Sequence, residues 1–305
     1  MFISGVKFGH DLLSHILENG YEKISLIVSY DDNKKEIFSD YVSFDDLSSK
    51  FNITNLKVQN INDENNVNVI KQIKPDLILV MGWSQILKDT IIKIPKKGVI
   101  GSHPTELPKY RGRAPIPWSI IKGLKESALT FFYIQEGVDD GDIVDQQKFI
   151  ISEHDDATSI YNKIINIGKE MILKNLNLIE SGSVNRIKQD NSQFIEYWPK
   201  RTPDDGLIDW SNTAQEIHTL IRATTFPYPG AFTFFKNSKL RIWKASYLDE
   251  QSTGQGIVME ISDHGVKIGT GKGVVILEKI SINDNPETST SLVFSKKDIN
   301  FTLGK

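Results

Sequence analysis

The residues with the clearest capacity for chemistry are one histidine and one carboxylate. His103 ends a short apolar run and precedes a proline-containing loop, in the stretch GSHPTELPKYRGRAPIPW at residues 101–118. Asp139 lies in a glycine-flanked turn, EGVDDGD at residues 136–142. An imidazole can donate a proton near neutral pH, and a neighbouring carboxylate can orient the ring and favour its charged form. The two stretches therefore predict a general acid with an acidic partner.

The first half of the chain contains the elements that must position these two side chains. Apolar runs at residues 24–28, 76–81 and 98–101 predict strands, and apolar residues at helical spacing lie between them. Such alternation is typical of an α/β fold with a doubly wound, mostly parallel sheet that is covered on both faces. Ligands of these sheets bind beyond the carboxyl ends of the strands. His103 and residues 81–83 are expected at that edge.

The second half changes from helical to β patterning. Amphipathic spacing predicts a helix over residues 156–180, and a second helix around residues 214–221. Short strands between Gly, Asn and Asp turns are then predicted at residues 231–235, 240–245, 256–261, 266–268 and 274–280. This pattern indicates a small open β-barrel. We therefore predict a catalytic domain at residues 1–182, a linker at 183–206 and a barrel domain at 207–305.

Composition excludes several classes of function. The chain has 305 residues and a net charge of −3, which gives no general attraction to nucleic acid or to a membrane. The absence of Cys excludes disulfides, thiolate catalysis and Cys-based zinc sites. Residues 136–142 lack the spacing of a calcium loop and residues 5–9 lack the dinucleotide spacing, so we predict neither a metal nor NAD. No signal peptide or membrane-spanning run is evident, and we expect a cytoplasmic enzyme.

Together, the two motifs resemble those of the formyltetrahydrofolate-dependent formyltransferases. This family includes methionyl-tRNA formyltransferase and the nucleotide-sugar N-formyltransferases. The resemblance implies that His103 and Asp139 are catalytic and that 10-formyltetrahydrofolate is the formyl donor. It further implies a Rossmann-like formyltransferase domain and an OB-like C-terminal barrel. In such a reaction an amine attacks the formyl carbon, an oxyanion forms, and the departing folate nitrogen needs a proton.

The same resemblance assigns binding residues. The formyl donor would contact Met81, Gly82, Trp83, Thr105, Glu106, Leu107, Pro108, Arg113, Gln135, Glu136, Gly137 and Val138. The acceptor would contact Ser102, Tyr110, Arg201 and Arg222. The family usually has Ser-Leu-Leu-Pro at residues 105–108, so Glu106 is unusual here, and we expect its side chain to point to solvent.

Gly101 is a departure from the family pattern. The family usually has Asn two residues before the histidine, and its amide is thought to donate a hydrogen bond to the oxyanion. One oxyanion donor is worth roughly 3–4 kcal/mol in other enzymes. Either Ser102, His103 or a water replaces this donor, or catalysis is impaired. We expect replacement, because the rest of the motif is intact.

Two kinds of amine fit the predicted architecture. A tRNA-binding protein needs a basic surface, whereas residues 207–305 contain 11 Lys and Arg against 10 Asp and Glu. The loop at residues 29–43 mixes Lys34 and Lys35 with four carboxylates. The sequence therefore favours a UDP- or dTDP-linked 4-amino-4,6-dideoxy sugar of surface-glycan synthesis, with no nucleic-acid or membrane partner, and a homodimer is a further expectation. The alternatives are a methionyl-tRNA formyltransferase and a folate-binding relative with impaired catalysis.

Overall fold

The structure, a computed structural model, describes residues 1–34, 39–283 and 285–304. The chain forms two compact units. The first unit comprises Met1–Pro115, Lys125–Ile151 and Tyr161–Pro199, and the second comprises Ile116–Leu124, Ser152–Ile160 and Lys200–Lys305. The α-helices are α1 (Lys7–Glu18), α2 (Asp45–Phe51), α3 (Glu64–Ile73), α4 (Asp89–Ile92), α5 (Pro115–Ile121), α6 (Ala157–Glu180) and α7 (Ala214–Thr224).

The strands of the first unit are β1 (Phe2–Ile3), β2 (Ile27–Tyr30), β3 (Asn55–Val58), β4 (Ile78–Val80), β5 (Val99–His103), β6 (Tyr110–Gly112), β7 (Glu126–Tyr133), β8 (Ile143–Ile150) and β9 (Glu196–Trp198). Seven of them form one sheet in the order β3-β2-β1-β4-β5-β7-β8. The pairs from β3 to β5 are parallel, whereas β7 is antiparallel to both β5 and β8. The predicted mostly parallel α/β sheet is confirmed, and its antiparallel edge is an addition.

The predicted central strands lie within a few residues of their expected positions. The strand predicted at residues 24–28 begins three residues later, as β2, and the one at 76–81 is shortened to β4. The third continues to His103 as β5. Ile3, Val28, Val80 and Val99 from four adjacent strands belong to one buried cluster. Burying such side chains contributes about 1.5–3 kcal/mol each, which makes this sheet a rigid platform for the residues at its edge.

The stretch predicted as a linker is partly built into the first unit. Ile187 exchanges two backbone hydrogen bonds with Ile143, at 2.7 and 2.9 Å. Strand β9 pairs in parallel with β6. Gly112 has φ +106°, and a side chain there would start 2.4 Å from the carbonyl oxygen of Trp198. Residues 183–199 thus belong to the first unit, because their backbone completes hydrogen bonds of β6 and β8 that the sequence pattern does not reveal.

The second unit contains β10 (Ala231–Phe235), β11 (Ser238–Leu248), β12 (Val258–Ser262), β13 (Gly265–Gly269), β14 (Val274–Ile282) and β15 (Thr288–Ser289). Their antiparallel order is β10-β11-β14-β13-β12, with β15 beside β14. Each predicted strand of this region is present, which confirms the small β domain. Helix α7 begins with a capping box between Thr213 and Glu216.

In the described part of the chain, no helix has the length and apolar character needed to cross a membrane.

His218 on α7 makes the stability of the second unit depend on pH. Burial and the nearby Arg222 lower the pKa of His218 from 6.5 to about 4, and Glu278 opposes this shift. As the pH falls, the unfolded chain binds a proton at His218 before the folded chain does. The contribution of the neutral His218 to the free energy of unfolding is therefore complete above pH 6.5 and is lost as the pH falls toward 4. Between pH 6.5 and 4.5, the free energy of unfolding of the wild type should fall by about 1–2 kcal/mol more than that of His218→Gln, a value that allows for solvent screening. The measurement is urea unfolding of both proteins at the two pH values. Equal losses would refute this role of His218.

Candidate active site

His103 is the last residue of β5 and is 5% exposed. Its Nε2 lies 3.1 Å from the backbone oxygen of Tyr110. A carbonyl oxygen can only accept a hydrogen bond, so Nε2 carries a hydrogen and donates it. This contact fixes the plane of the ring, and Nδ1 remains as the nitrogen that can exchange a proton with another group.

The Asp139 carboxylate faces that nitrogen. Its Oδ2 lies 3.7 Å from Nδ1 of His103 and accepts a hydrogen bond of 2.9 Å from the backbone N–H of Gly112. A separation of 3.7 Å is longer than a hydrogen bond, so the carboxylate faces Nδ1 without being hydrogen-bonded to it. The structure thus brings the two predicted catalytic residues together.

The loop that follows His103 is held by side-chain hydrogen bonds from Thr105 in the loop and from two residues on β7 and β8. Thr105 is fully buried, and its hydroxyl donates to the carbonyl oxygen of Tyr110 at 2.5 Å. The hydroxyl of Thr130 donates to the carbonyl oxygen of Thr105 at 2.6 Å, and Gln146 donates to that of Leu107 at 3.0 Å. Leu107 and Pro108 are buried as well. Of the predicted donor-binding residues, Thr105, Leu107 and Pro108 therefore have a structural role in keeping the conformation of this loop.

Glu106 does not point to solvent, and that expectation is wrong. Its side chain is 16% exposed and forms ion pairs of 3.0 Å with both Lys109 and Lys148. Burial acts to raise the pKa of Glu106, but the hydrogen bonds from the two lysines outweigh it and leave the pKa below its usual value. Lys148 lies on β8, so the sequence around Glu106 could not reveal this partner.

The segment after β4 carries an unsatisfied donor. Gly82 has φ +72°, and Trp83 stacks on Tyr30 with ring centroids 3.9 Å apart. The indole N–H of Trp83 is buried and has no hydrogen-bond partner among the described residues. Burial raises the pKa of the Tyr30 hydroxyl, and its hydrogen bonds with Ser84 and the charge of Arg113 are among the influences that oppose this shift.

Arg113 and the turn before Asp139 are open to solvent. The Arg113 side chain is exposed and forms no hydrogen bond or ion pair with the residues that the structure describes. Residues 135–138 are exposed, and Val138 is 52% exposed. Met81, in contrast, is fully buried. Of the predicted donor-binding residues, Arg113 and residues 135–138 therefore offer the accessible groups.

The predicted acceptor-binding residues divide between the two units. In the first unit, Ser102 and His103 are consecutive on β5, so their side chains leave opposite faces of the strand. The ring of Tyr110 stacks on Trp198 at 4.7 Å. In the second unit, Arg201 donates to the carbonyl oxygen of Asp205 at 2.7 Å, and Arg222 donates to the carbonyl oxygens of Glu153 and Asp155.

The space beside Gly101 is already filled. A Cβ atom built on Gly101 would lie 2.9 Å from Cδ1 and 3.0 Å from Cγ1 of Ile134. Gly101 and His103 are two residues apart on β5, so this Cβ leaves the same face of the strand as the imidazole. The isoleucine therefore occupies the place of the asparagine that the family resemblance leads one to expect, and the sequence contains no signal for this exchange.

Sequence patterns also give no hint of two buried polar residues near this site, Gln189 and Arg111. Gln189 lies in a polar stretch without periodicity, and its amide contacts the turn of Asp139. Arg111 lies on β6 in the stretch that follows His103, and only 5% of it is exposed. In the described ranges no group of three or more His, Asp or Glu side chains is arranged to hold a metal.

Family models and relatives agree on the kind of protein that this chain resembles. The model described as "Formyl transferase" matches residues 1–176, and "Formyl transferase, C-terminal domain" matches residues 200–297. A methionyl-tRNA formyltransferase of Clostridioides difficile is 34% identical over 274 residues, which cover 88% of this chain and 87% of that protein. The bifunctional polymyxin resistance protein ArnA of Wigglesworthia glossinidia brevipalpis is 34% identical over 257 residues, 84% of this chain and 39% of that one.

Solved structures share the fold at lower identity. WlaRD, a sugar 3N-formyl transferase crystallised with dTDP and 5-N-formyl-THF, matches with a TM-score of 0.66 and 23% identity, over 93% of this chain and 97% of that chain. A methionyl-tRNA formyltransferase from Clostridium thermocellum matches with a TM-score of 0.57 and 20% identity, over 85% of this chain and 98% of that chain.

Proposed function

Because the chain belongs to the formyltransferase family, we propose that it transfers the formyl group of 10-formyltetrahydrofolate to the amine of a nucleotide-linked amino sugar. A UDP- or dTDP-linked 4-amino-4,6-dideoxy sugar is the acceptor that we favour. The observation that carries this choice is the charge of the chain, which is −3 overall and nearly balanced in residues 207–305.

The first unit contains groups that suit the formyl donor. A pterin ring offers hydrogen-bond acceptors and a flat face, and a folate tail carries carboxylates. The unpartnered indole N–H of Trp83 fits an acceptor of the ring, and Gly82 beside it has φ +72°. The exposed guanidinium of Arg113 fits a carboxylate. We assign these residues to the donor, together with the backbone of residues 135–138.

The chemistry requires one proton to be delivered and another to be removed. When bound, 10-formyltetrahydrofolate supplies the formyl carbon that the acceptor amine attacks and the nitrogen that departs. In our proposal Nδ1 of His103 delivers a proton, because Nε2 is held by the carbonyl oxygen of Tyr110. Asp139 stabilises the charged imidazole and takes up the surplus amine proton on Oδ1, since Oδ2 is hydrogen-bonded to Gly112.

Ion pairing in the second unit supports a small acceptor over a tRNA. Among its described residues, four lysines pair with carboxylates: Lys236 with Asp298, Lys244 with Glu278, Lys267 with Glu250 and Glu260, and Lys279 with Glu287. Binding of nucleic acid depends on cations that neutralise phosphates, and these cations are already neutralised. In the loop at residues 29–43, Lys35 and Glu36 lie outside the described residues. The argument from the mixed charges of this loop against tRNA binding therefore rests on the sequence.

Methionyl-tRNA is the second candidate acceptor. Several methionyl-tRNA formyltransferases are about as similar to this chain as the Clostridioides difficile protein, one of them 35% identical over 233 residues. Those relatives favour the tRNA acceptor, whereas the charge of this chain favours the sugar. The two candidates use the same donor and differ only in the amine.

A panel of amines separates the candidates. The purified protein is incubated with 10-formyltetrahydrofolate and with UDP- and dTDP-linked 3- and 4-amino sugars or methionyl initiator tRNA, and the tetrahydrofolate released is measured. We expect turnover with an amino sugar and none with the tRNA. Turnover with the tRNA and with none of the amino sugars would overturn the proposal that the acceptor is a nucleotide-linked amino sugar. Donor binding without turnover on any amine would indicate the catalytically impaired relative.

A further inference from the structure

A buried glutamine contacts the turn that carries Asp139. Gln189 is 6% exposed and lies between α6 and β9. Its amide nitrogen donates to the backbone oxygens of Asp139 and Gly141, at 2.8 and 2.7 Å. We propose that Gln189 is a positioning residue for formyl transfer, which sets the distance between the Asp139 carboxylate and His103. This inference rests on the function proposed above.

The other end of the Gln189 side chain fixes its orientation. The amide oxygen accepts hydrogen bonds from Nε and Nη2 of Arg111, at 3.3 and 2.7 Å. A guanidinium can only donate and a carbonyl can only accept, so exchanging the amide oxygen and nitrogen would make all four contacts repulsive. Gln189 therefore fits in a single orientation, with its N–H groups toward the turn of Asp139.

Arg111 strengthens this arrangement. No carboxylate of the described residues lies within ion-pairing distance of it, and its polar partners are the amide oxygens of Gln189 and Asn191. A buried positive charge beside an amide oxygen polarises the amide and makes its N–H groups better donors. Arg111 also lies between Tyr110, whose carbonyl holds His103, and Gly112, whose N–H holds Asp139.

The backbone of Asp139 explains why such support is needed. Asp139 has φ +51°, in the left-handed region that residues other than glycine rarely adopt. Without the two hydrogen bonds from Gln189 the turn can relax toward a commoner conformation, which moves the carboxylate away from Gly112 and His103. A displacement of about 1 Å in a catalytic arrangement can lower a rate about 100-fold.

The test is a double-mutant cycle between Gln189 and Asp139. Gln189→Glu keeps the shape and the acceptor for Arg111, but it places a carboxylate oxygen against two carbonyl oxygens. We expect kcat to fall about 10- to 100-fold while KM for the formyl donor and for the amine changes less than about threefold. In an Asp139→Asn background, the same substitution should have little further effect, because the group that Gln189 positions is already disabled. Gln189→Met, which lacks all four contacts, should lower kcat in the wild-type background and have little further effect in the Asp139→Asn background.

Gln193→Glu is the matched control, because it adds the same charge to the same segment at an exposed residue whose side chain donates a hydrogen bond to Asp190 and not to the turn of Asp139. It should retain the wild-type kcat. An unchanged kcat in Gln189→Glu, or a loss that multiplies fully with that of Asp139→Asn, would overturn the positioning role. A wild-type rate in Asp139→Asn alone would instead overturn the proposed catalytic assignment. If the Gln189 variants do not fold, Arg111→Lys, which keeps the charge but loses the paired donors, completes the same cycle.

Discussion

His103→Ala is expected to lower the turnover of formyl transfer by about 100- to 10,000-fold, the usual contribution of a general acid. The variant loses Nδ1, the nitrogen that the ring geometry leaves free to deliver a proton. Donor binding should change little, because the groups that we assign to the donor, at Gly82, Trp83 and Arg113, do not depend on the imidazole. The measurement is kcat on the best amine, together with donor affinity by fluorescence titration.

The control for this substitution is His154→Ala, since His154 is exposed and belongs to the second unit. It should leave kcat unchanged. His103 has a hydrogen bond to the Tyr110 carbonyl, so circular dichroism and thermal unfolding must show that His103→Ala remains folded. A folded His103→Ala protein with near-wild-type turnover would show that another group delivers the proton.

Gly101→Asn should not raise the rate, although it restores the residue that related formyltransferases usually carry. Its Cβ would start 2.9 Å from Ile134, so the isoleucine must move or the strand must shift. Overpacking of this kind typically costs about 1–3 kcal/mol in stability. We expect lower thermal stability and a kcat below that of the wild type, measured on the same amine.

Making room for the new side chain should reverse this loss. Ile134→Ala removes the two atoms that a Cβ at position 101 would contact, and Gly101→Asn with Ile134→Ala should be faster than Gly101→Asn alone by about tenfold or more, because a well-placed oxyanion donor is worth about 100- to 1,000-fold. Ile134→Ala alone is the control for the cavity. A strong gain in Gly101→Asn without the second substitution would refute the steric conflict and would favour an impaired site in the natural chain.

The fold could be predicted where one strand or helix carries its own pattern. The apolar runs before Met81 and His103 are buried on both faces, so β4 and β5 are evident from local sequence alone. The sequence patterns do not predict β7 and the edge strand β8, and β8 alternates polar and apolar residues only partly. Strand β1 has two residues and is too short for any periodicity.

The candidate site was predictable only in its acid and its carboxylate. His103 and Asp139 belong to two compact motifs, and the structure places them 3.7 Å apart. The groups that surround them come from distant parts of the chain and follow no local rule. Ile134, which follows β7, lies 2.9 Å from where a Cβ of Gly101 would be, and Gln189 reaches Asp139 from 50 residues away. Such contacts depend on the packing of whole elements, which a single sequence does not specify.

The hydrogen bond from Gly112 to Asp139 has a consequence for how this protein can change over generations. Its donor is a peptide N–H, which every residue except proline possesses, and proline is limited to φ near −65° whereas Gly112 has φ +106°. Neighbouring side chains can therefore be exchanged without removing this donor, while position 112 itself accepts only glycine. The hydrogen bond to Asp139 is therefore insensitive to side-chain changes in the loop, except at Arg111, whose guanidinium orients Gln189, and acceptor preferences can change at the other positions while this bond is kept.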